Sequence, residues 1–264
     1  MNFKKIIIYG EPAISEINIE ELTNFVEDNF PVKVEIKDNI FKKFSREDIK
    51  KLSNIRISDI KNSFSKHKST NIEIEFEAKL CKNSSVMDST TRVENAQEIS
   101  QVFMYDGFEL QKILRYLKDD KETLHIILTN RLTCTFDEND SRYHARAVIC
   151  ANPAIISTTG IIEAPAKPKE YYLEIMALKS QGLDVKSTKE KYKEEFLDYN
   201  DKRLTKVVEG YILQVIFYNI TGEAFCENIE CRLNNAHWQK DLLFSQLEIN
   251  KLCKKHSEIL TGLN

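Results

Sequence analysis

Two pairs of metal-type side chains fall close together near the end of this chain. Cys226-x4-Cys231 is followed, after 21 intervening residues, by Cys253-x2-His256. Each pair is short enough to sit on one tight turn or helix end, and about one helix length separates them. The pattern predicts two brackets that converge on one tetrahedral ion. Thiolate and imidazole have the softness of Zn2+ ligands. Four protein ligands leave no open coordination position, so such a Zn2+ would be structural, one ion per chain, and its binding free energy becomes folding free energy. His237, six residues after Cys231, is a rival fourth ligand. Lys254, Lys255 and Arg232 lie beside the ligands and are expected to hold the thiolates ionised. The plainer reading of the same residues is three buried thiols and an exposed histidine.

The other cysteines, Cys81, Cys134 and Cys150, show no such spacing, and the last two lie in strand-like runs that suit core thiols. A chain of 264 residues can bury a real core without cross-links. The longest apolar stretch near the start, Ile6 to Tyr9, is too short for a signal-peptide core, so a cytoplasmic protein with reduced thiols is expected. With 42 % hydrophobic and 30 % charged residues the composition is that of a globular chain and excludes disorder. A net charge of −3 gives no reason to expect nucleic-acid or membrane-surface binding. No run approaches the roughly 18 apolar residues of a membrane span.

Apolar periodicity orders the elements. Lys4–Tyr9 reads as a buried strand, Asn18–Phe30 as an amphipathic helix, and Val32–Ile36 as a half-exposed strand. Ser45 to about Ser63 reads as a helix with Ser45 as N-cap and Asp48 three residues on. Asn71–Ala78 alternates apolar and acidic residues and predicts a strand near a sheet edge. Cys81–Thr91 reads as a loop, Phe108–Leu117 as a helix and Leu124–Leu128 as a buried strand. Leu132–Phe136 and Ala145–Ala151 read as strands flanking an acidic loop, Asp137–Ser141, and Ile155–Thr159 as a further strand. From Lys169 the chain turns helical: 169–181, with Gly182 past its end, then 187–199, then 201–220. Strands and helices first, then helices only, predict an α+β fold. The expected division is a mixed region with a twisted sheet at 1–165 and a helical lobe carrying the zinc knuckle at 166–264.

The stretch Gly222-Glu-Ala-Phe-Cys226-x4-Cys231-Arg-Leu233, with the later Leu252-Cys253-x2-His256, resembles the archaemetzincin type of zinc metallopeptidase and its archaeal relatives of uncharacterised function. The strings Cys231–Gln239 and Ser157–Tyr171 are similar to those of the archaeal relatives. The motif itself covers about 45 residues, and its last ligand departs from the pattern, being His256 where archaemetzincins carry Cys. The resemblance implies a metzincin-like mixed sheet and an active-site helix over 201–220, with HExxHxxGxxH leading into the structural zinc site. Anchored on Gly222 and Cys226, the first zinc His falls at Val215, the general-base Glu at Ile216, the second His at Asn219 and the third at Phe225. A metzincin mechanism needs three imidazoles, an open position for water and a carboxylate to take its proton. None of those four side chains can do this, so the resemblance implies a scaffold that keeps its glycine turn at Gly222 and has lost its catalytic ion.

The patch Asp137, Glu138, Asp140, Arg142, His144 and Arg146 reads either as a solvated hairpin loop or as a makeshift metal or acid–base site. Lys167 to Tyr172, after Thr158-Thr159-Gly160, reads either as a helix start with Pro168 in its first turn or as part of a peptide-binding cleft. Trp238 is expected to pack the zinc lobe against the helix 201–220, His67 to lie on the surface and His125 in a strand. The charge run 186–195 reads as an exposed helix face. No phosphate loop or nucleophile elbow is present. Three readings follow: a binding protein with a degenerate peptidase cleft that captures a peptide or protein partner, an active metal-dependent hydrolase with ligands relocated to His144, the 137–140 carboxylates or His237, or a purely structural zinc-stabilised protein with no cleft.

Overall fold

A computed structural model describes residues 3–10, 17–63, 66–82, 103–119 and 122–262 of the chain. Its first sheet is built on Lys5–Tyr9 (β1), where four successive buried side chains, Ile6 to Tyr9, face alternately to either side. Lys33–Lys37 (β2) and Thr123–Thr129 (β4) flank β1 in parallel, Ala154–Ser157 (β8) adds to β4 in parallel, and Val148–Ile149 (β7) closes the edge antiparallel. Near-continuous apolar strands buried on both faces are what a largely parallel sheet requires. Met104–Asp106 (β3), Leu132–Asp137 (β5) and Arg142–Arg146 (β6) form a second sheet in the order β3-β5-β6. The architecture is α+β, as expected.

Helices cover both faces. On one, Ile6, Ile8, Leu124, Ile126 and Ile156 pack with Ile19–Asn29 (α1) and the long helix Leu204–Thr221 (α8). On the other, Ile7, Tyr9, Ile127 and Ile155 pack with Arg46–Asn54 (α2), Asn71–Lys82 (α3) and Gly107–Leu114 (α4). Thr158–Glu163 (α5), Lys169–Ser180 (α6), Lys186–Lys191 (α7), Gln239–Leu243 (α9) and Lys254–Thr261 (α10) complete the helices used below. The apolar cluster that contains α8 also takes in Cys231, Leu233, Leu242 and Leu243 beside the strands of the first sheet.

Four sequence expectations are corrected. Asn71–Ala78 is not a strand: it lies in α3, with Ile74, Glu77, Leu80 and Cys81 inward at helical spacing and Ile72 exposed. The deciding signal is a reciprocal cap. Thr70 Oγ1 accepts from Glu73 N (3.3 Å), while Glu73 Oε2 accepts from Thr70 N (2.7 Å). Glu77 is then drawn inside by partners far away in sequence. It accepts from Arg56, from Tyr105 OH (2.9 Å) and from Arg131 (3.2 Å). The helix capped by Ser45, with its capping box to Asp48, stops at Asn54, because the next residues pair with β3: Ile57 N donates to Met104 O and Asp106 N to Ile55 O, both at 2.9 Å. Thr158 and Thr159 begin α5 after Ser157 caps it. The helix expected over 187–199 is only α7 followed by a turn of 3-10 helix at Lys193–Glu195. Of the loop expected over 81–91, Cys81 and Lys82 end α3 and the rest lies outside the described residues.

Candidate metal centre and cleft

α8 ends where Gly222 takes a left-handed conformation (φ +82). Only glycine adopts this without strain, and the chain can there turn back along the helix. It enters a knuckle: Cys226 N donates to Leu233 O (2.8 Å), Cys231 N to Asn228 O (3.0 Å) and Asn234 N to Cys231 O (2.8 Å). These bonds hold the sulfurs of Cys226 and Cys231 on one side of the loop. The second bracket forms at α10, where Cys253 is the N-cap and His256 lies in the first turn. Arg232 N donates to Lys251 O (2.9 Å) and Cys253 N to Cys231 Sγ (3.4 Å), which ties the brackets together.

All four side chains meet. One ligand atom from each of Cys226, Cys231, Cys253 and His256 lies within 4.8 Å of the others. Cys226 and Cys253 sulfurs are 4.0 Å apart, Cys231 Sγ is 3.6 Å from His256 Nδ1, and Cys253 Sγ is 3.1 Å from the same nitrogen. A tetrahedral ion with Zn–S of about 2.3 Å and Zn–N of about 2.05 Å spaces two sulfurs about 3.8 Å apart and sulfur from nitrogen about 3.6 Å. The donor set therefore fits Zn2+. His237, the rival ligand, is exposed and stands apart from this cluster.

The surroundings act differently on the three ligands that they shift. Burial alone would raise the Cys253 thiol, but hydrogen bonds from the α10 backbone at His256 and Lys255 and contacts with the neighbouring thiols outweigh it and hold it below its ordinary value. Cys231 is sealed off and burial pushes it up to about 12, so without an ion it would be a neutral thiol. Burial, helped by Lys255, lowers His256 and keeps its imidazole neutral. Its ring packs edge-on against Phe217 of α8 (5.5 Å). Lys255 thus lies near the ligands as expected, while Arg232 does not. Its guanidinium turns inward to Glu209 Oε2 (2.8 Å) and Lys206 O (2.7 Å), because a buried cation needs a carboxylate more than a thiol. Gln246 Nε2 donates to Arg232 O (2.7 Å), so α8, Arg232 and the segment Phe244–Ile249 brace Cys231 from behind.

Beside the knuckle lies an open cleft of about 800 Å³. One wall is the run from His144 to Cys150, which takes in the end of β6 and then β7. The other walls include Tyr211 and Tyr218 of α8, the turn Gly222–Phe225, the loop Asn235–His237, and Ala164 with Pro165. The turn Gly222–Phe225 runs directly into Cys226, so the knuckle fixes one lip of the cleft. Of the two readings of Lys167 to Tyr172, the helix start is what forms, with Pro168 as the N-cap of α6; none of these residues lines the cleft, which is reached by Ala164 and Pro165 just before them. Trp238 departs from expectation. It is 51 % exposed, and its backbone forms a parallel bridge to Ala166. Trp238 has no inward space because Gln239, next in sequence, takes it, donating to Ile161 O and Ile162 O (both 2.9 Å).

Of the four positions where the metzincin resemblance puts catalytic groups, Val215 and Ile216 are fully buried in the core and Asn219 donates to Ala151 O (3.3 Å) and Val215 O (2.9 Å). Phe225 alone lines the cleft. The hairpin patch does gather: Asp137, Asp140 and His144 offer atoms within 4.8 Å of one another, with His144 Nε2 2.7 Å from Asp140 Oδ2. Among the described residues, two buried ionic groups have no counterpart in the sequence pattern: Arg232 with Glu209, and Glu77 with Arg56 and Arg131. The only local signal near the second was the Thr70–Glu73 cap.

The chain matches the model of the probable metallopeptidase family (DUF6775) over residues 2–263. It belongs to that family. No curated protein and no solved structure matches it. For this member of the metallopeptidase family, no helix among the described residues is long and apolar enough to cross a membrane. Cys134 is buried, and burial pushes its thiol and that of Cys150 up to about 12, as suits packing residues. His125 lies in β4 as expected, 3.1 Å from Tyr9 OH, and His67 is half-buried against Glu73 (2.8 Å).

Proposed function

We propose that this protein is a pseudo-peptidase: an archaemetzincin-like member of the metallopeptidase family that holds one structural Zn2+ and binds an extended peptide or protein segment without cutting it. The ion sits on Cys226, Cys231, Cys253 and His256. The observation that carries the reading is the state of the helix that would bear the catalytic motif. Val215 and Ile216 are sealed in the core and the Asn219 amide is spent on backbone carbonyls. No group there can ligate an ion or take a proton from water.

Peptide binding is supported by the cleft. Its long wall is the outer strand of each sheet in turn, β6 and then β7, and strand edges accept an added extended chain. The near-neutral net charge of −3 favours neither nucleic acid nor a membrane surface. Six free thiols suit a cytoplasmic setting. The test is metal content beside cleavage of randomised fluorogenic peptides. One tightly held zinc per chain with no turnover, also after added Zn2+, supports the reading. Turnover that dies in an Ile216 or Asn219 variant overturns it.

A second reading, a hydrolase with relocated ligands, draws on the Asp137, Asp140 and His144 cluster, since His144 also lines the cleft. It predicts a second, exchangeable ion whose removal abolishes activity while leaving the fold intact.

A further inference from the structure

Among the described residues, five arginines are buried or half-buried: Arg56, Arg131, Arg146, Arg203 and Arg232. Four of them face a carboxylate: Arg56 and Arg131 face Glu77, Arg203 faces Asp201 and Arg232 faces Glu209. Arg146 has no ion pair among the described residues. Removing a cation from water without an anion is unfavourable, which is why the other four are matched. Arg146 is also held in place. Its Nε donates to Thr135 Oγ1 (2.7 Å), and its carbonyl accepts from Thr133 Oγ1 (3.1 Å). With Nε so engaged, the two terminal nitrogens remain for a ligand at the wall of the cleft.

Nearby charges do not complete it. Asp137 lies within its field, but its Oδ1 accepts from Asn139 N (2.9 Å) and Nδ2 (3.0 Å) and makes no ion pair with Arg146. Glu223, the acid on the opposite lip, reaches Lys255 (3.5 Å). His144 is paired with Asp140 and His237 adds no negative charge. We propose that Arg146 selects the ligand of this cleft by pairing with a carboxylate, and that this carboxylate is an aspartate or glutamate side chain within an extended peptide. Arg146 lies part-way along the wall that runs from His144 to Cys150, so a chain laid along that edge passes the guanidinium instead of ending at it. The inference rests on the peptide-binding reading of the cleft and narrows it to acidic segments.

The test uses the immobilised, zinc-replete full chain and three pools of N-acetylated, randomised octapeptides without cysteine, with retained peptide quantified by mass spectrometry. The first pool is amidated with a central Glu. The second is amidated with a central Gln and no acids. The third is the second with a free C-terminal carboxylate. The Glu pool is expected to be retained about tenfold over the Gln pool, the order of one charge-assisted pair. Arg146→Gln brings that ratio to about one, Arg146→Lys keeps part of it, and Thr135→Val, which frees the Nε, lowers it about threefold. Equal retention of the Glu and Gln pools, or an unchanged ratio in folded Arg146→Gln or Arg146→Lys and Thr135→Val together, overturns the assignment and leaves peptide binding standing. A free-carboxylate pool that exceeds the Glu pool makes the chain terminus the partner and overturns the side-chain assignment. Retention of no pool removes the peptide-binding reading itself.

Discussion

Gly210 lies buried in the middle of α8, and a Cβ added there would meet Gln246 Oε1 at 1.7 Å and Cδ at 2.5 Å. Gly210→Ala is favoured by about 1 kcal/mol of helix propensity. Against that, the Gln246 amide must move in a fully buried site, and its bond to Arg232 O (2.7 Å) is lost. A buried carbonyl left without its donor costs about 1–3 kcal/mol, and overpacking adds about 1–3 kcal/mol. The net expectation is a loss of about 2 kcal/mol for Gly210→Ala. In a Gln246→Ala background the obstacle is gone, and the same change becomes stabilising by about 0.5–1 kcal/mol. The coupling is thus about 2–3 kcal/mol, near the top of the range for residues in contact. Urea unfolding of the four zinc-replete proteins, followed by circular dichroism, measures it. If Gly210→Ala costs the same with and without Gln246, the account of how the Phe244–Ile249 segment seats on α8 is wrong.

Four further outcomes follow from the same geometry. Glu77→Gln strands two buried guanidinium groups and should destabilise by about 3–5 kcal/mol in chemical denaturation; a loss under about 1 kcal/mol contradicts the pairing. Cys226→Ser or Cys253→Ser should cost about 4 kcal/mol or more and lower zinc retention, and a melt coincident with the parent refutes a metal role for these thiols. Asp201 is half-buried, which raises its carboxyl, but the Arg203 guanidinium more than offsets this and holds it below its ordinary 3.8. A lowered folded value means that its stabilisation is complete above the ordinary range and fades as pH falls through the folded value, so the stability gap between parent and Asp201→Asn should be level above about pH 5 and close below about pH 3.8; a gap that widens on acidification reverses the sign and the argument. Asn219→Ala removes two hydrogen bonds to backbone carbonyls and should lower stability by about 1 kcal/mol with no change in any peptide-cleavage assay.

The buried strands and the long helices of this chain were legible because their signal is local. Ile6 to Tyr9 and Leu124 to Leu128 have no polar side that a helix could show to water, apart from His125. The metal cluster was legible for a different reason: ligand spacing survives any detail of the backbone between the brackets, and Cys226, Cys231, Cys253 and His256 do converge. What failed was decided at long range. Asn71–Ala78 has strand alternation, yet Arg56 and Arg131 draw Glu77 inward, and neither lies near it in sequence. Arg232 was expected beside the sulfurs because it adjoins Cys231, whereas the carboxylate that claims it sits on α8. The position of Trp238 between the two metal brackets suggests an inward side chain, although Gln239 is the residue that reaches the backbone carbonyls of Ile161 and Ile162. The cleft had no sequence signature beyond the resemblance, since its walls come from stretches scattered between Phe108 and His237.

The central claim is a closed ion held by three sulfurs and one imidazole. X-ray absorption at the zinc edge of the purified protein reads this shell directly. The account predicts four-coordinate zinc with three sulfur neighbours at about 2.3 Å and one nitrogen at about 2.0–2.1 Å. A shell dominated by oxygen and nitrogen, or one with a bound water in place of a sulfur, would contradict it.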